Sequence, residues 1–123
     1  MDQKKRQRVG SIGENIAAAY LKSAGYQILE RNLRLSIGEL DMVASEHGTL
    51  VFVEVRTRRG DKMGPLEEAI PDKKKTKLRL LAELYLQQKP NPERHVRIDV
   101  VLVDLAPDGS ARRIELIKNA VES

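Results

Sequence analysis

The order of helical and strand patterns predicts a single α/β domain with two long helices and five strands. One apolar stripe at helical spacing follows Ser11, and a second follows Asp72. Five short segments rich in β-branched and aliphatic residues lie around the second stripe, separated by turn residues. A chain of 123 residues is close to the commonest domain size. We expect the domain to span residues 9–123 and the basic residues 1–8 to form a mobile arm.

Composition excludes several classes of site. Apolar residues make up 41% of the chain and aromatic residues only 3%, so the core is aliphatic and stacking platforms for single-stranded bases are disfavoured. The absence of cysteine excludes a thiol nucleophile, a disulfide framework and a cysteine zinc site. A net charge of +4 weakly favours a polyanionic partner. The sequence has no long apolar run and no N-terminal signal region, so we expect a cytoplasmic protein that does not associate with a membrane.

The first half of the chain is predicted to form one helix and a β-sheet meander. Ser11 is a favourable N-cap and Gly25 a favourable stop for the first helix. Alternating and β-favouring residues then predict strands over 26–35, 38–44 and 50–55.

The second half is predicted to add one helix and two strands. Pro90 and Pro92 cannot continue the second helix, for which Asp72 is the expected cap. The remaining elements are a basic loop over 56–64, a short helical turn over 65–70, a helix from 72 to 89, and strands over 96–105 and 111–117.

The second and third strands are predicted to form a hairpin that brings two carboxylates together. A two-residue turn at His47–Gly48 and a four-residue turn around it give the same register. In that register Asp41 lies directly across from Glu54, whereas a three- or five-residue loop would break the match.

Two like charges facing each other across a hairpin cost about 0.2 to 1 kcal/mol when solvated, and more when buried. A hard divalent cation is a suitable counter-charge, because Mg²⁺ is typically held by one or two carboxylates with water and phosphate oxygens. The hairpin therefore predicts a Mg²⁺ or Mn²⁺ site at Asp41 and Glu54. The alternative is that both acids lie on a solvated strand face.

Several short motifs together resemble the YraN-like proteins, a bacterial family of uncharacterised function. They are Gly13-Glu14-Asn15-Ile16-Ala17-Ala18, Gly25-Tyr26, Arg31-Asn32, Gly38-Glu39-Leu40-Asp41, Val51-Phe52-Val53-Glu54-Val55, Tyr85-Leu86 and Arg97-Ile98-Asp99-Val100-Val101. That family is similar to archaeal Holliday-junction resolvases and to the PD-(D/E)xK nuclease superfamily.

The resemblance implies a central mixed five-stranded sheet flanked by helices, of the restriction-endonuclease type. It implies an acidic cluster of Glu14, Asp41 and Glu54, with Mg²⁺ held by Asp41, Glu54 and the carbonyl of Val55. The alternative for Glu14 is a capping box, because it stands three residues after Ser11.

The chain departs from the superfamily pattern at Arg56, where a lysine is expected. Arginine stays protonated, so it cannot act as a base, although it can bind phosphate or stabilise developing charge. It can also pair with Glu39 across the hairpin. Lys74 or Lys77, in the second helix, are the alternative sources of a lysine for the site.

Other charged residues have simpler expectations. We expect phosphate-backbone contacts from basic residues near the site, which are Arg58, Arg59, Lys62, Lys74 and Lys77. His47 and His95 lack ligand spacing and are expected at the surface, and Asp99 is expected to pair with Arg97.

The resemblance, together with the paired acids of the hairpin, implies a Mg²⁺-dependent DNA endonuclease of the Holliday-junction-resolvase type, with Glu14, Asp41, Glu54 and Arg56 as its catalytic residues. One alternative is a non-catalytic nucleic-acid-binding protein on a nuclease fold. Another is an interaction protein that dimerises through an exposed strand face or edge, and a homodimer is also compatible with the resemblance.

Overall fold

A computed structural model of the protein describes residues 3–60, 70–90 and 94–121, with side chains from residue 10 onward. The elements are α1 (Gln3–Ser23), β1 (Gln27–Leu35), β2 (Gly38–Glu46), β3 (Thr49–Arg59), α2 (Asp72–Gln88), β4 (His95–Leu105) and β5 (Ala111–Ile117). Over these ranges, neither helix is long and apolar enough to cross a membrane.

The five strands form one mixed sheet in the order β1-β2-β3-β4-β5. Neighbouring strands are antiparallel except β3 and β4, which run parallel and are linked through α2. A parallel pair needs such a crossover because a short turn cannot return the chain to the same end of the sheet. The predicted single α/β domain with a mixed five-stranded sheet and flanking helices is confirmed.

The two helices cover opposite faces of the sheet, and each face has its own apolar cluster. Ala17 and Leu21 of α1 pack on one face, in a cluster that includes Met42. Leu78 of α2 packs on the other face, in a cluster that includes Phe52. Fully burying one such large side chain contributes about 1.5 to 3 kcal/mol, so the two clusters fix the sheet between the helices.

The predicted hairpin register is confirmed. His47 and Gly48 have φ values of 47° and 82°, the positive pair that a two-residue turn between twisted strands requires. Pairing then runs from Glu46–Thr49 to Met42–Val53. Asp41 and Glu54 are the residues that follow the Met42–Val53 pair along the two strands, so they lie near each other.

Helix α1 begins at Gln3, so residues 3–8 of the expected arm are helical, and the mobility of the arm stays a prediction. The segment Gln-Lys-Lys-Arg-Gln-Arg consists of good helix formers without proline, and it continues the helix by about two turns. Ser11 therefore lies inside α1 and is not an N-cap. The capping-box alternative for Glu14 is excluded with it.

Strand β3 is longer than predicted, because its parallel pairing with β4 continues to Arg59–Leu105. The expected loop is therefore wrong over residues 56–59, where the ladder supplies backbone hydrogen bonds that local sequence does not reveal. Residues 61–69, which include Lys62 and most of the expected turn over 65–70, lie outside the described ranges. At α2 the N-cap is Pro71, and the expected cap Asp72 is the first helical residue.

A network of buried charges lies on the α1 face of the sheet, towards the hairpin turn. Asp99 is fully buried and accepts hydrogen bonds from Tyr26 Oη at 2.7 Å, Arg97 Nε at 2.7 Å and Asn119 N at 2.9 Å. Glu46, also buried, pairs with Arg97 and with Lys118. The expected Asp99–Arg97 pair is confirmed, and every oxygen of Asp99 has a donor, as a buried carboxylate requires.

Candidate metal centre

The Asp41 carboxylate takes the place of a backbone acceptor between β2 and β3. Its Oδ2 accepts a hydrogen bond from the Val55 N–H at 2.8 Å. In the register of this hairpin, Val55 would otherwise face Leu40, but the Leu40 side chain packs in the cluster beneath α2. The two strands therefore separate beyond Met42, and the Asp41 side chain occupies the gap.

The same gap exposes a backbone carbonyl to Asp41. The N–H and C=O of one residue in a strand point to the same side. Since the Val55 N–H bonds to Asp41, the Val55 carbonyl also faces β2. The predicted set of metal ligands, Asp41, Glu54 and the Val55 carbonyl, requires this orientation. Their role as ligands remains a prediction.

Glu54 is a buried acid with an unusual environment. Only 4% of the residue is exposed, and it lies on the face of β3 that α2 covers. Burial, a hydrogen bond with Asp41 and the charge of Asp41 together raise the pKa of Glu54 to about 8. Asp41 and Glu54 are thus brought together as the hairpin register predicts.

A lysine of α2 opposes this shift. Lys74 Nζ lies 3.1 Å from Glu54 Oε2 and lowers the pKa of Glu54. The ammonium lies off the hydrogen-bonding direction, and Oε2 has no hydrogen-bond partner in the described part of the chain. Of the two predicted alternatives to a lysine at position 56, the structure brings Lys74 to the acids.

Glu14 approaches the same acids from α1. Burial and then the charge of Asp41 raise the pKa of Glu14, while Arg31 lowers it. With its amide nitrogen turned toward the acids, Asn32 donates to Glu14 Oε2 at 3.0 Å and to Glu39 Oε1 at 3.1 Å. Asn32 is the residue that sequence reasoning missed. Its only signal was its place in the Arg31-Asn32 motif.

Gly13 allows α1 to come this close to the sheet. A Cβ at Gly13 would overlap the Thr57 hydroxyl and lie 2.8 Å from Thr57 Cβ. Glycine is thus required for close approach of a helix to a strand. The absence of a side chain at Gly13 therefore determines how closely Glu14 approaches β3.

Arg56 is half-buried on β3, two residues beyond Glu54. The expected cross-strand pair with Glu39 is not found: Glu39 lies 3.6 Å from Arg34 instead. The separation of β2 and β3 at Asp41 explains this, because the regular ladder does not reach that far. Within the described ranges, Arg56 is not part of an ion pair.

Two of the predicted nucleic-acid contacts, Arg58 and Arg59, donate hydrogen bonds to acceptors within the protein. Arg58 Nε donates to the buried Asp104 at 3.0 Å, and Arg59 Nε donates to the Pro107 carbonyl at 3.1 Å. Both arginines therefore tie the end of β3 to β4 and to the turn that follows β4. Lys77 lies against Gly38, where a Cβ would come within 3.1 Å of its Cε. Whether any of these residues contacts nucleic acid remains a prediction.

The donor set fits a hard divalent cation. Asp41 and Glu54 supply carboxylate oxygens, and Glu54 Oε2 is buried without a hydrogen bond. Over the described ranges, no three acidic or histidine side chains converge closely enough to enclose an ion. Mg²⁺ does not require such a cage, since one or two carboxylates with water and substrate oxygens suffice.

Comparison with known proteins agrees with the resemblance. The model of "Uncharacterised protein family UPF0102" matches residues 13–103. A "UPF0102 protein" of Syntrophus aciditrophicus is 47% identical over 115 residues, covering 94% of this chain and 89% of the relative. Relatives in Symbiobacterium thermophilum (46% identical; 92% and 95% covered) and Pelotomaculum thermopropionicum (44% identical; 94% and 96% covered) carry the same family name. The chain belongs to the UPF0102 family, which includes the YraN-like proteins.

Proposed function

We propose that this protein is a metal-dependent phosphodiesterase that cleaves DNA as an endonuclease of the Holliday-junction-resolvase type. The observation that carries the proposal is the Asp41–Glu54 pair, a buried acid held against a second acid in the gap between two strands. Keeping two carboxylates there costs stability, which a binding role explains and a structural role does not.

Asp41, Glu54 and the carbonyl of Val55 would hold the ion, which would be Mg²⁺ or Mn²⁺. A bound ion of this kind polarises a phosphate oxygen and lowers the pKa of an attacking water. The chain's own contribution is positioning. The Val55 N–H orients Asp41, and Gly13 and Asn32 hold Glu14 beside it. Arg56 supplies a permanent positive charge for a phosphate oxygen and cannot accept a proton.

Cleavage of a panel of linear, nicked, flapped and four-way DNA with Mg²⁺ or Mn²⁺ tests the proposal. Asp41→Asn keeps an acceptor for the Val55 N–H but removes the charge, so we expect at least about 100-fold slower cleavage from a folded protein. Asp108→Asn, at an exposed turn, is the matched control and should cleave as the parent does. Absence of cleavage on every substrate, or equal cleavage by Asp41→Asn, would refute the proposal.

Metal binding is measured separately by thermal melting. At 100 times its dissociation constant, a ligand that binds only the native state stabilises it by about 2.7 kcal/mol. We expect Mg²⁺ or Mn²⁺ to stabilise the parent protein in this way and not the Glu54→Gln variant.

A second candidate function is non-catalytic binding of nucleic acid. It is favoured by the Lys74–Glu54 contact, which already provides Glu54 with a counter-charge. This candidate predicts salt-dependent DNA binding that is unchanged by chelator and by Asp41→Asn. Loss of binding in either condition would contradict it.

A further inference from the structure

We propose that Lys74 is a phosphate-contacting residue that Glu54 holds back, and that a divalent cation at Glu54 releases it to the DNA. The inference rests on the proposed function and adds a coupling to it. Binding of the cation and binding of the phosphate backbone would be linked through one side chain. The sequence already predicts a phosphate contact from Lys74, and the new element is that Glu54 and the cation control this contact.

The first support is the asymmetry of the ion pair. The Glu54 side chain is 5% exposed and the Lys74 side chain 32% exposed, with 3.1 Å between Nζ and Oε2. The acid is fixed inside the sheet, whereas the lysine reaches it from the solvent boundary. A lysine has four flexible methylene groups and a strongly hydrated ammonium, so it can leave this partner without exposing an apolar surface.

The second support is competition for a single carboxylate. Glu54 Oε2 has no hydrogen bond among the described residues, so the Lys74 ammonium neutralises this oxygen but does not fill its hydrogen-bonding position. A divalent cation carries twice the charge and binds carboxylate oxygens directly. A cation bound there would repel the Lys74 ammonium at short range, and the attraction that holds Lys74 at Glu54 would be lost.

The third support is the place of Lys74 on α2. It lies in the first turn of that helix, between Lys73, which is exposed, and Lys75, which is half-buried. A released ammonium therefore joins an existing basic surface beside the acids. The polyanion that such a surface recognises is the phosphate backbone, independently of base sequence. The chemistry of the site thus points to a backbone contact made only when the cation is bound.

A double-mutant cycle tests the coupling without any metal. In EDTA at pH 9, where Glu54 is ionised, affinity for a fluorescent DNA duplex is measured by anisotropy between 50 and 200 mM salt for the parent, Glu54→Gln, Lys74→Met and the double variant. One phosphate contact adds about 0.9 to the slope of log affinity against log salt, or about 3.5-fold in affinity over this range.

Glu54→Gln removes the partner that holds Lys74, so it should steepen the slope by about 0.9. Lys74→Met alone should leave the slope of the parent unchanged, and the double variant should match Lys74→Met. Lys73→Met is the matched control: combined with Glu54→Gln, it should leave the increase caused by Glu54→Gln intact. An equal effect of Lys74→Met in both backgrounds would overturn the proposal, because Lys74 would then be a permanent contact or none.

The second arm repeats the measurement with saturating Ca²⁺, a hard cation that takes oxygen ligands. The parent should now have a slope about 0.9 steeper than Lys74→Met. Equal slopes, with Ca²⁺ binding shown by melting, overturn the release of Lys74 but leave the metal site standing. Failure of Mg²⁺, Mn²⁺ and Ca²⁺ to stabilise the parent overturns both this inference and the proposed function.

Discussion

The buried carboxyl group of Glu54 should make the stability of the protein fall as the pH rises from about 5 to 9. The pKa of Glu54 is raised from 4.5 to about 8 in the native protein. Between these values the native state holds a proton that the unfolded chain has lost. Stability falls with pH wherever the native state binds more protons than the unfolded chain, so this contribution is present at pH 5 and lost above pH 8.

The size of the effect follows from the shift. At 1.36 kcal/mol per pKa unit, ionising Glu54 above pH 8 costs the native state about 4 to 5 kcal/mol. Relaxation of the surrounding protein and of nearby water reduces such costs, so we expect a measured loss of about 2 to 4 kcal/mol. This is a large share of the 5 to 15 kcal/mol typical of a domain.

Glu54→Gln isolates the contribution, because glutamine has nearly the same shape and does not titrate. Urea unfolding in EDTA at pH 5.5, 7 and 8.5 should give a declining stability for the parent and a flatter profile for the variant. The variant should be the more stable of the two at pH 8.5. A parent that gains stability between pH 5.5 and 8.5 relative to the variant, or parallel profiles for the two, would refute the reasoning.

Two further predictions concern the packing around the site and the buried charge network around Asp99. Gly13→Ala should destabilise the protein by about 1 to 3 kcal/mol in urea, because its Cβ would overlap Thr57. Gly10→Ala, with open space around its Cβ, should instead stabilise α1 by about 0.5 to 1 kcal/mol, and equal effects of the two changes would contradict the close approach. Asp99→Asn should cost about 3 kcal/mol or more, because the new amide turns one acceptor toward Arg97 into a donor; an unfolding midpoint equal to that of the parent would contradict the buried network.

The hairpin was predictable because its turn and its strands specify the same register. His47–Gly48 suits a two-residue turn, and the apolar run from Leu50 to Val53 suits a buried strand. The start of α1 and the length of β3 were not predictable in this way. A polar segment at the start of the chain is compatible with a mobile arm and with an exposed helical turn, and local sequence does not distinguish them. Residues 56–59 form part of β3 only because β4 lies beside them and supplies hydrogen-bond partners.

The acidic residues of the candidate site were predictable from the sequence, and its basic residues were less so. Strand alternation brings Asp41 to Glu54, but the separation of the strands follows from the packing of Leu40 beneath α2, and the bond from the Val55 N–H to Asp41 that fills the gap is encoded by no pattern. Lys74 is twenty residues from Glu54 in sequence, so its contact depends on how α2 lies across the sheet. Pairwise charge matching assigned Arg56 to Glu39, and the separation of β2 and β3 at Asp41 removes that pairing.

The strand order has a consequence for self-association. β1 and β5 are the two edges of the sheet, and each leaves a row of backbone groups without a neighbouring strand. A bulge leaves the exposed Leu29 unpaired in β1, and arginines lie along both edges, at positions 31 and 34 in β1 and at 112 and 113 in β5. A second copy added edge to edge would meet an irregular backbone and like charges. Extension of the sheet into a larger aggregate is therefore disfavoured at both ends.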